Sequence, residues 1–367
     1  MKILLLAGAH DVHVVRWANK LSENGNEIHL CYNCDHKPHV DKYNERVILH
    51  ELKIKSPYGY YLNILQLNNI IQKVSPDIIN IHYASGYGTL GRLTKFPKIL
   101  ISVYGSDVYD FPYKSKLNMR IIRKNLLSAT NIASTSYSMA KQTSNLINYP
   151  LEKIYITPFG VDVDKFKKVS NKCNKEFLIA SIKKLSPKYG IKYGILAVDY
   201  LVKNLLKDKN NEIKLKYFIY GEGEEEQELK LLVKQLNLEN IIKFKGRIPN
   251  DLVPKVLNQI DVFIGTSILN SESFGVAIVE AMACEVPVIV TDVDGFKEVV
   301  DNGNCGILVE KRDYKSMAQE LYKLMKDSSK RNELGKCERE RVCKYYKWDD
   351  NVKFMEQIYK EMLYKAE

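Results

Sequence analysis

Residues 271–283 read SESFGVAIVEAMA, with two carboxylates, Glu272 and Glu280, on either side of a Phe-Gly step. The apolar run DVFIGTS before it ends near Ser267, the polar stretch ILNSES follows, and FGVAIVEAMA has the composition of a helix. A helix that begins near Gly275 offers open backbone N–H groups and the positive end of its dipole, and a glycine lets an anion approach the backbone. That chemistry suits a phosphate. Glu272, ahead of the helix, and Glu280, about two turns into it, can then accept hydrogen bonds from hydroxyls at the two ends of a bound molecule. A sugar at one end and a ribose at the other, joined by a diphosphate, make a nucleotide sugar. Either glutamate alone would read as helix-end charge or an incidental surface residue.

Elements must bring such groups together. Short apolar runs alternate with helix-length segments: KILLLAG, EIHLCY, VILHEL, DIINIHY, KILISVYG, NIASTSY and KIYITPFG, then FLIASIKK, LKYFIYG, IIKFKG, DVFIGTS, PVIVTD and GILVE. Near-continuous apolar strands in this rhythm predict α/β architecture, with parallel sheets covered by helices on both faces. The polar, lysine-rich interval GVDVDKFKKVSNKCNKE separates the two series and places a boundary near residues 163–175. The expected organisation is a first domain over 1–165, a second over 166–345, and a C-terminal helix over 346–367 that packs back toward the first. In that helix Trp348, Val352, Met355, Ile358 and Met362 recur at spacings of three or four. Ligands of open parallel sheets bind beyond the carboxyl ends of the strands, so the functional residues should follow strands, and two such domains facing each other make a cleft.

At 367 residues the chain exceeds one ordinary core, and 45% hydrophobic with 27% charged residues is a soluble globular composition. Its formal charge of +11 asks for an anionic partner: nucleic acid, a membrane surface or a phosphorylated substrate. No apolar run approaches the roughly 20 residues of a membrane span, and the opening MKILLLAGAHD reads as a buried strand, not a leader. A cytoplasmic protein is expected. Seven scattered cysteines predict reduced thiols. Cys31, Cys34, His36 and His39 are ligand types zinc accepts, but Cys31 continues a strand and the spacing is too tight to wrap a tetrahedron, so a loop is the reading.

The stretch ESFGVAIVEAMACEVPVIVTDVDG resembles the signature of family 4 glycosyltransferases, in which two glutamates bracket seven residues. GVDVDKF is similar to that family's interdomain linker, SIKKLSPKYG to its basic phosphate-contacting turn, YGEGEEEQELK and IIKFKGRIP to the segments lining its base pocket, and VYGSDVYDFP to its acceptor loop. The resemblance implies a GT-B fold, two Rossmann-like domains, and a retaining transfer of sugar from a nucleotide-diphosphate sugar as co-substrate to a glycan or lipid-linked acceptor, as in cell-surface polysaccharide or glycolipid synthesis. It implies Glu280 on the ribose, Glu272 on the transferred sugar, Ser273, Phe274, Gly275 and Val276 presenting backbone to phosphate and sugar, Lys184 and Lys188 on the diphosphate, and Gly221 and Ile248 beside the base. The basic turn departs from the family's Arg-Leu and immediate Lys-Gly, since the chain reads Lys184-Leu185 and then Lys188-Tyr189-Gly190.

In the first domain Gly8 closes a strand where backbone can approach the sugar diphosphate. His82, at another strand end, reads either as a base or as a packing residue. Family members often carry histidine where Tyr104 stands, which leaves Asp107 as the candidate for contacting or orienting the acceptor. No external base is strictly implied for retention, because the departing phosphate can take the acceptor's proton. The DVD repeats at Asp162–Asp164 and Asp292–Asp294 could hold a divalent metal, but a helix terminus and lysines already supply positive charge, so neither metal nor other cofactor is expected to be required.

Residues 1–165 hold 20 Lys and Arg against 13 Asp and Glu, and YKSKLNMRIIRKNLLS is a basic amphipathic helix. It reads as a solvated face or as a peripheral contact with an anionic bilayer at the inner face of the plasma membrane. A GT-B epimerase or phosphorylase is the nearest alternative enzyme, although no lysine motif for pyridoxal phosphate is present. Nucleic-acid binding is remote, because the charge is diffuse and no basic helix-turn-helix, zinc finger or aromatic RNA motif is found.

Overall fold

The computed structural model describes residues 1–39, 42–169, 176–206 and 214–364. Residues 170–175 of the polar interval expected between the domains lie outside the described residues. Each apolar run of the sequence forms a strand. The first seven are β1 (Lys2–Leu6), β2 (Glu27–Asn33), β3 (Val47–Leu52), β4 (Ile78–His82), β5 (Ile99–Val103), β6 (Asn131–Ser134) and β7 (Ile154–Ile156). The other six are β8 (Glu176–Ile182), β9 (Lys214–Tyr220), β10 (Ile242–Gly246), β11 (Val262–Gly265), β12 (Val288–Thr291) and β13 (Ile307–Val309). They build two sheets, ordered β3-β2-β1-β4-β5-β6-β7 and β10-β9-β8-β11-β12-β13. Every pairing between them is parallel.

In both sheets the chain starts in the middle, moves outward one way, then crosses back beside its first strand. The strand order therefore reverses between β1 and β4, and between β8 and β11, which opens a crevice at the carboxyl ends. Ile3, Leu4, Leu5 and Leu6 are all 0% exposed, so β1 is covered on both faces. Each such side chain contributes roughly 1.5–3 kcal/mol by leaving water. Burial on both faces is why central strands such as β1, β4, β5, β11 and β12 lack polar alternation, whereas β9 and β10 keep an exposed side.

By internal contacts one compact unit comprises Met1–Phe159 with Asp349–Glu367, and the other Gly160–Trp348. The helix Trp348–Tyr364 buries Val352, Met355, Ile358, Tyr359 and Met362. Its Tyr359 hydroxyl accepts from the Asn80 amide of β4 at 2.7 Å, and Asn80 in turn accepts from Ser102 of β5 at 3.1 Å. A buried polar chain satisfied in this way fixes the helix to one register. Glu356 receives the Asn24 and Asn26 amides, and Lys20 pairs with Asp349 at 2.9 Å.

The expectation of reduced thiols throughout needs correcting. Cys305, just before β13, and Cys337, in the helix Ser328–Tyr345, are joined as a disulfide with Cα atoms 5.9 Å apart. Their sequence separation of 32 hides this proximity in the sequence. Cys31, Cys34, Cys284 and Cys343 are free, and Cys173 lies outside the described residues. Cys31 is buried in the core, Cys34 donates to the Lys53 carbonyl, and His36 bonds Tyr87, so these three side chains face different partners.

Candidate active site

In the second unit the connection from β11 leads to the helix Val276–Ala283, with Gly275 at its N-cap. Gly275 has φ 87°, and no side chain caps the first turn. A Cβ there would lie 2.6 Å from the Phe296 ring, so both conformation and packing demand glycine. Gly295 lies so close to the loop that a Cβ would sit 2.4 Å from the Glu272 carbonyl oxygen. The segment carrying Glu272 is thereby pinned from behind. Ser273 and Phe274 are buried, and the Phe274 ring, edge-on to Tyr346 at 5.4 Å, anchors the loop.

Glu272 is only 7% exposed, and its Oε2 meets Lys183 Nζ at 2.5 Å and the Ser267 hydroxyl at 3.3 Å. Lys183, the residue after β8, also lies over the Tyr189 ring at 4.5 Å. Glu280 is half-buried on the helix, its fifth residue, so it stands one turn in rather than two. A small cavity of about 20 Å³ is lined by Lys183, Tyr189, Thr266, Ser267 and Gly275, among others.

Lys184 and Lys188 do not line that cavity. Lys184 pairs with Glu224 at 3.6 Å on the surface, and Lys188 Nζ stands 4.8 Å from the Tyr189 ring. The turn holding Lys188 is laced to the β11 loop: Ile268 N–H donates to the Lys188 carbonyl at 2.9 Å and Thr266 Oγ1 to the Tyr189 carbonyl at 2.8 Å. Gly221 has φ 137° and a Cβ there would lie 1.8 Å from the Lys183 carbonyl, so its glycine serves the close packing of the β8 and β9 ends. Ile248 is half-buried two residues past β10. Ile248, Gly221, the lysines and the Glu272–Glu280 segment thus follow β10, β9, β8 and β11, four neighbouring strands around the crevice.

In the first unit Gly8, His82 and Asp107 follow or end β1, β4 and β5, again neighbours. Asp107 is 1% exposed and accepts backbone N–H groups from Ala84 at 2.9 Å, Tyr104 at 3.1 Å and Gly105 at 2.9 Å. Burial raises its pKa while those donors oppose the rise. With its oxygens committed to the backbone, Asp107 ties the β4 and β5 loops together. His82 is likewise buried, and its Nδ1 bonds the Tyr104 hydroxyl. The position where family members often place a histidine therefore does carry a polar pair, assembled across two strands.

Burial pushes the His82 pKa down to about 4, with Asp11 acting upward and His13 downward. An unfolded imidazole titrates near 6.5, so between about pH 6.5 and 4 the unfolded chain binds a proton that the folded chain refuses. Stability should fall as pH falls through this window, by on the order of 2–4 kcal/mol from His82. Urea midpoints between pH 7 and 4.5 measure it, and His82→Gln should flatten the slope; an unchanged slope would show that His82 is not the group responsible.

Comparison with known proteins adds to this geometry. Residues 162–341 match the family described as glycosyl transferases group 1, and residues 2–136 match the glycosyl transferase 4-like family. The chain is 27% identical over 359 residues to N-acetyl-alpha-D-glucosaminyl L-malate synthase of Bacillus anthracis, covering 94% of this chain and 91% of that one. It is 28% identical over 387 residues to the capsular polysaccharide biosynthesis glycosyltransferase CapM of Staphylococcus aureus, covering 97% and 91%. The solved structure of Anabaena HepE in complex with UDP shares the fold with a TM-score of 0.82 at 17% identity, over 98% of this chain and 100% of that one. Two parallel sheets that each reverse strand order beside their first strand, a two-glutamate segment at the second crevice, and profile matches in both halves converge: the chain belongs to the group 1, family 4 glycosyltransferases of GT-B fold.

Proposed function

We propose that the chain transfers a sugar from a nucleoside diphosphate sugar to an acceptor hydroxyl with retention of configuration, in polysaccharide or glycolipid assembly. The observation that carries this reading is Glu272, buried at the mouth of an uncapped helix N-terminus and charge-paired to Lys183, with Glu280 one turn along the same helix. The open N–H groups suit the diphosphate, Glu272 the hydroxyls of the sugar, and Glu280 the ribose. Lys184 and Lys188 stand after the adjacent strand, where they oppose the charge that develops as the diphosphate departs. The bond from the anomeric carbon to the phosphate oxygen breaks, the acceptor oxygen bonds the same face, and the leaving phosphate oxygen takes the acceptor's proton. That sequence needs no base from the protein. Helix terminus and lysines supply the positive charge, so no divalent metal is needed.

Several supports bear on donor and acceptor. The HepE neighbour holds UDP, which favours a uridine nucleotide here. The Bacillus anthracis relative is named for transfer to malate and CapM for capsular polysaccharide, so relatives of this length span small and glycan acceptors. The basic surface of the first unit favours a lipid-linked acceptor met at an anionic bilayer. No helix of the described residues is long and apolar enough to cross a membrane.

A panel of nucleotide sugars, scored by released nucleotide with a chelator present, tests the donor half. Release from at least one uridine diphosphate sugar is expected, with the donor's anomeric configuration kept in the product. Release from none overturns the reading, an inverted product overturns retention, and activity lost to chelator and restored by manganese overturns metal independence.

A further inference from the structure

A second cavity, of about 320 Å³, lies within the first unit. That volume is at the small end of ligand sites, roughly 300 to 1,000 Å³. It is lined from the ends of β1 (Gly8, His10, Asp11), β2 (His36) and β4 (His82, Tyr83), with Tyr60 and Tyr87 on adjoining helices. The place is the reversal between β1 and β4, where an open parallel sheet offers its binding crevice.

We propose that this cavity is the acceptor seat and that it takes a neutral monosaccharide unit, rejecting carboxylate and phosphate acceptors. The proposal rests on the glycosyltransfer reading above and supplies its acceptor class. Charge is the first argument. Among the described residues no lysine or arginine lines the cavity, and its one formal charge is the Asp11 carboxylate. Asp11 Oδ1 accepts from the His13 N–H at 2.7 Å and the Val14 N–H at 3.4 Å, so the helix terminus that could have attracted an anion is already capped by one. Burial holds His36 and His82 toward their neutral forms. An anionic acceptor would meet a carboxylate and neither lysine nor arginine.

Shape and polarity supply the positive half. Tyr60 stands edge-on to Tyr87 at 5.2 Å, and His10 edge-on to His36 at 5.1 Å, which presents aromatic surface to the apolar face of a sugar ring. The Tyr87 hydroxyl accepts the Asn33 N–H at 3.1 Å and pairs with His36 Nδ1 at 2.8 Å, which fixes both rings at the cavity wall. His82 Nε2 is buried with no hydrogen-bond partner in the structure, a cost that a ligand hydroxyl would remove. Tyr83 holds φ at 78°, a strained conformation for a bulky residue of the kind that gathers at ligand clamps. Gly86 is what allows Tyr60 its position, because a Cβ there would lie 2.4 Å from the Tyr60 ring.

Saturation-transfer NMR on the full chain tests this, with methyl glycosides of neutral hexoses and N-acetylhexosamines as probes and succinate as the dicarboxylate control. Ring C–H signals from at least one glycoside and none from succinate are expected. Tyr60→Ala and Gly86→Ala should each weaken the bound glycoside about tenfold, as for loss of one aromatic contact, while Tyr60→Phe should retain it. Binding of no glycoside, binding unaffected in both variants, or signals from succinate would overturn the proposal. UDP titrated into the same samples reads the donor site separately. UDP binding without glycoside binding sinks this inference alone, and glycoside binding without UDP binding sinks the donor reading alone.

Discussion

Glu272→Ala should lower kcat/KM for the nucleotide sugar by about 10²–10³ while bare nucleoside diphosphate binds within about threefold of the parent. The carboxylate is buried and its partner Lys183 stands 2.5 Å away, so the side chain is held where sugar hydroxyls would arrive and cannot swing to other work. Removing it deletes an acceptor whose value grows as the sugar takes on positive character, and it frees the Lys183 ammonium. A freed cation near the helix terminus compensates the diphosphate, which is why nucleotide binding should not suffer. Glu280→Ala predicts the converse. Losing a charged hydrogen bond to the ribose costs roughly 1–3 kcal/mol in affinity for bare nucleotide, about 5- to 150-fold. Calorimetric titration with UDP beside steady-state turnover separates the two, and equal losses of bare nucleotide affinity in both variants would refute the division of roles. Lys183→Met adds a check: if the lysine only orients Glu272, combining it with Glu272→Ala should cost little more than Glu272→Ala alone.

The division between what the sequence displays and what it conceals follows burial. Strands such as Ile3–Leu6 and Val288–Val290 are covered on both faces, and an unbroken apolar run has few other ways to satisfy such a place. The central strands were legible for that reason, while β3, β9, β10 and β13, only partly buried, showed through their β-branched and aromatic residues. The helix start at Gly275 was legible because its left-handed φ and its contact with Phe296 leave a glycine no substitute. Lys183 was not. In the run Ile182-Lys183-Lys184-Leu185 both lysines follow the strand, and only the turn of the chain past Gly221 decides which one reaches Glu272 and which meets Glu224 at the surface. Asp107 shows the opposite case: its type and its place after β5 were legible, while the tie it makes between the β4 and β5 loops through three backbone donors was not. Distant pairings are silent for a third reason. Tyr104 with His82, and Cys305 with Cys337, meet only once sheet order or helix packing is set.

The first unit should bind anionic vesicles at low salt, and changing Lys116, Arg120 and Arg123 together to glutamine should release it. In the helix Lys116–Leu127 the residues Ile122, Asn125 and Leu126 face inward, where the Asn125 amide donates to the Ala84 and Ser85 carbonyls at 2.9 Å. That burial turns Lys116, Arg120, Arg123 and Lys124 outward with Leu117 at 64% and Leu127 at 59% exposed. The helix Gly59–Leu62 packs on the same helix, Gly86–Thr94, as does Lys116–Leu127, and around it Tyr58 is 70%, Leu62 60% and Leu65 75% exposed. On Lys116–Leu127 the cations share their helix with exposed Leu117 and Leu127, an arrangement that matches a headgroup layer over acyl chains. Each basic residue near such a surface is worth on the order of 1 kcal/mol, so three losses should reduce partitioning by about 100-fold. The attraction is screened over about 8 Å at physiological ionic strength, and binding by the parent should therefore fade as salt rises. Lys116 and Arg120 are exposed and their loss should change stability by about 0.5 kcal/mol or less each, while Arg123→Gln also removes a bond to the Leu146 carbonyl, about 0.5–1.5 kcal/mol within the first unit, so UDP binding in the second unit should persist in the variant. Sedimentation with phosphatidylglycerol vesicles, against neutral phosphatidylcholine, measures the effect. If the triple variant sediments as the parent does, or the parent ignores anionic vesicles at low salt, the basic face is a solvated surface and the acceptor comes from solution.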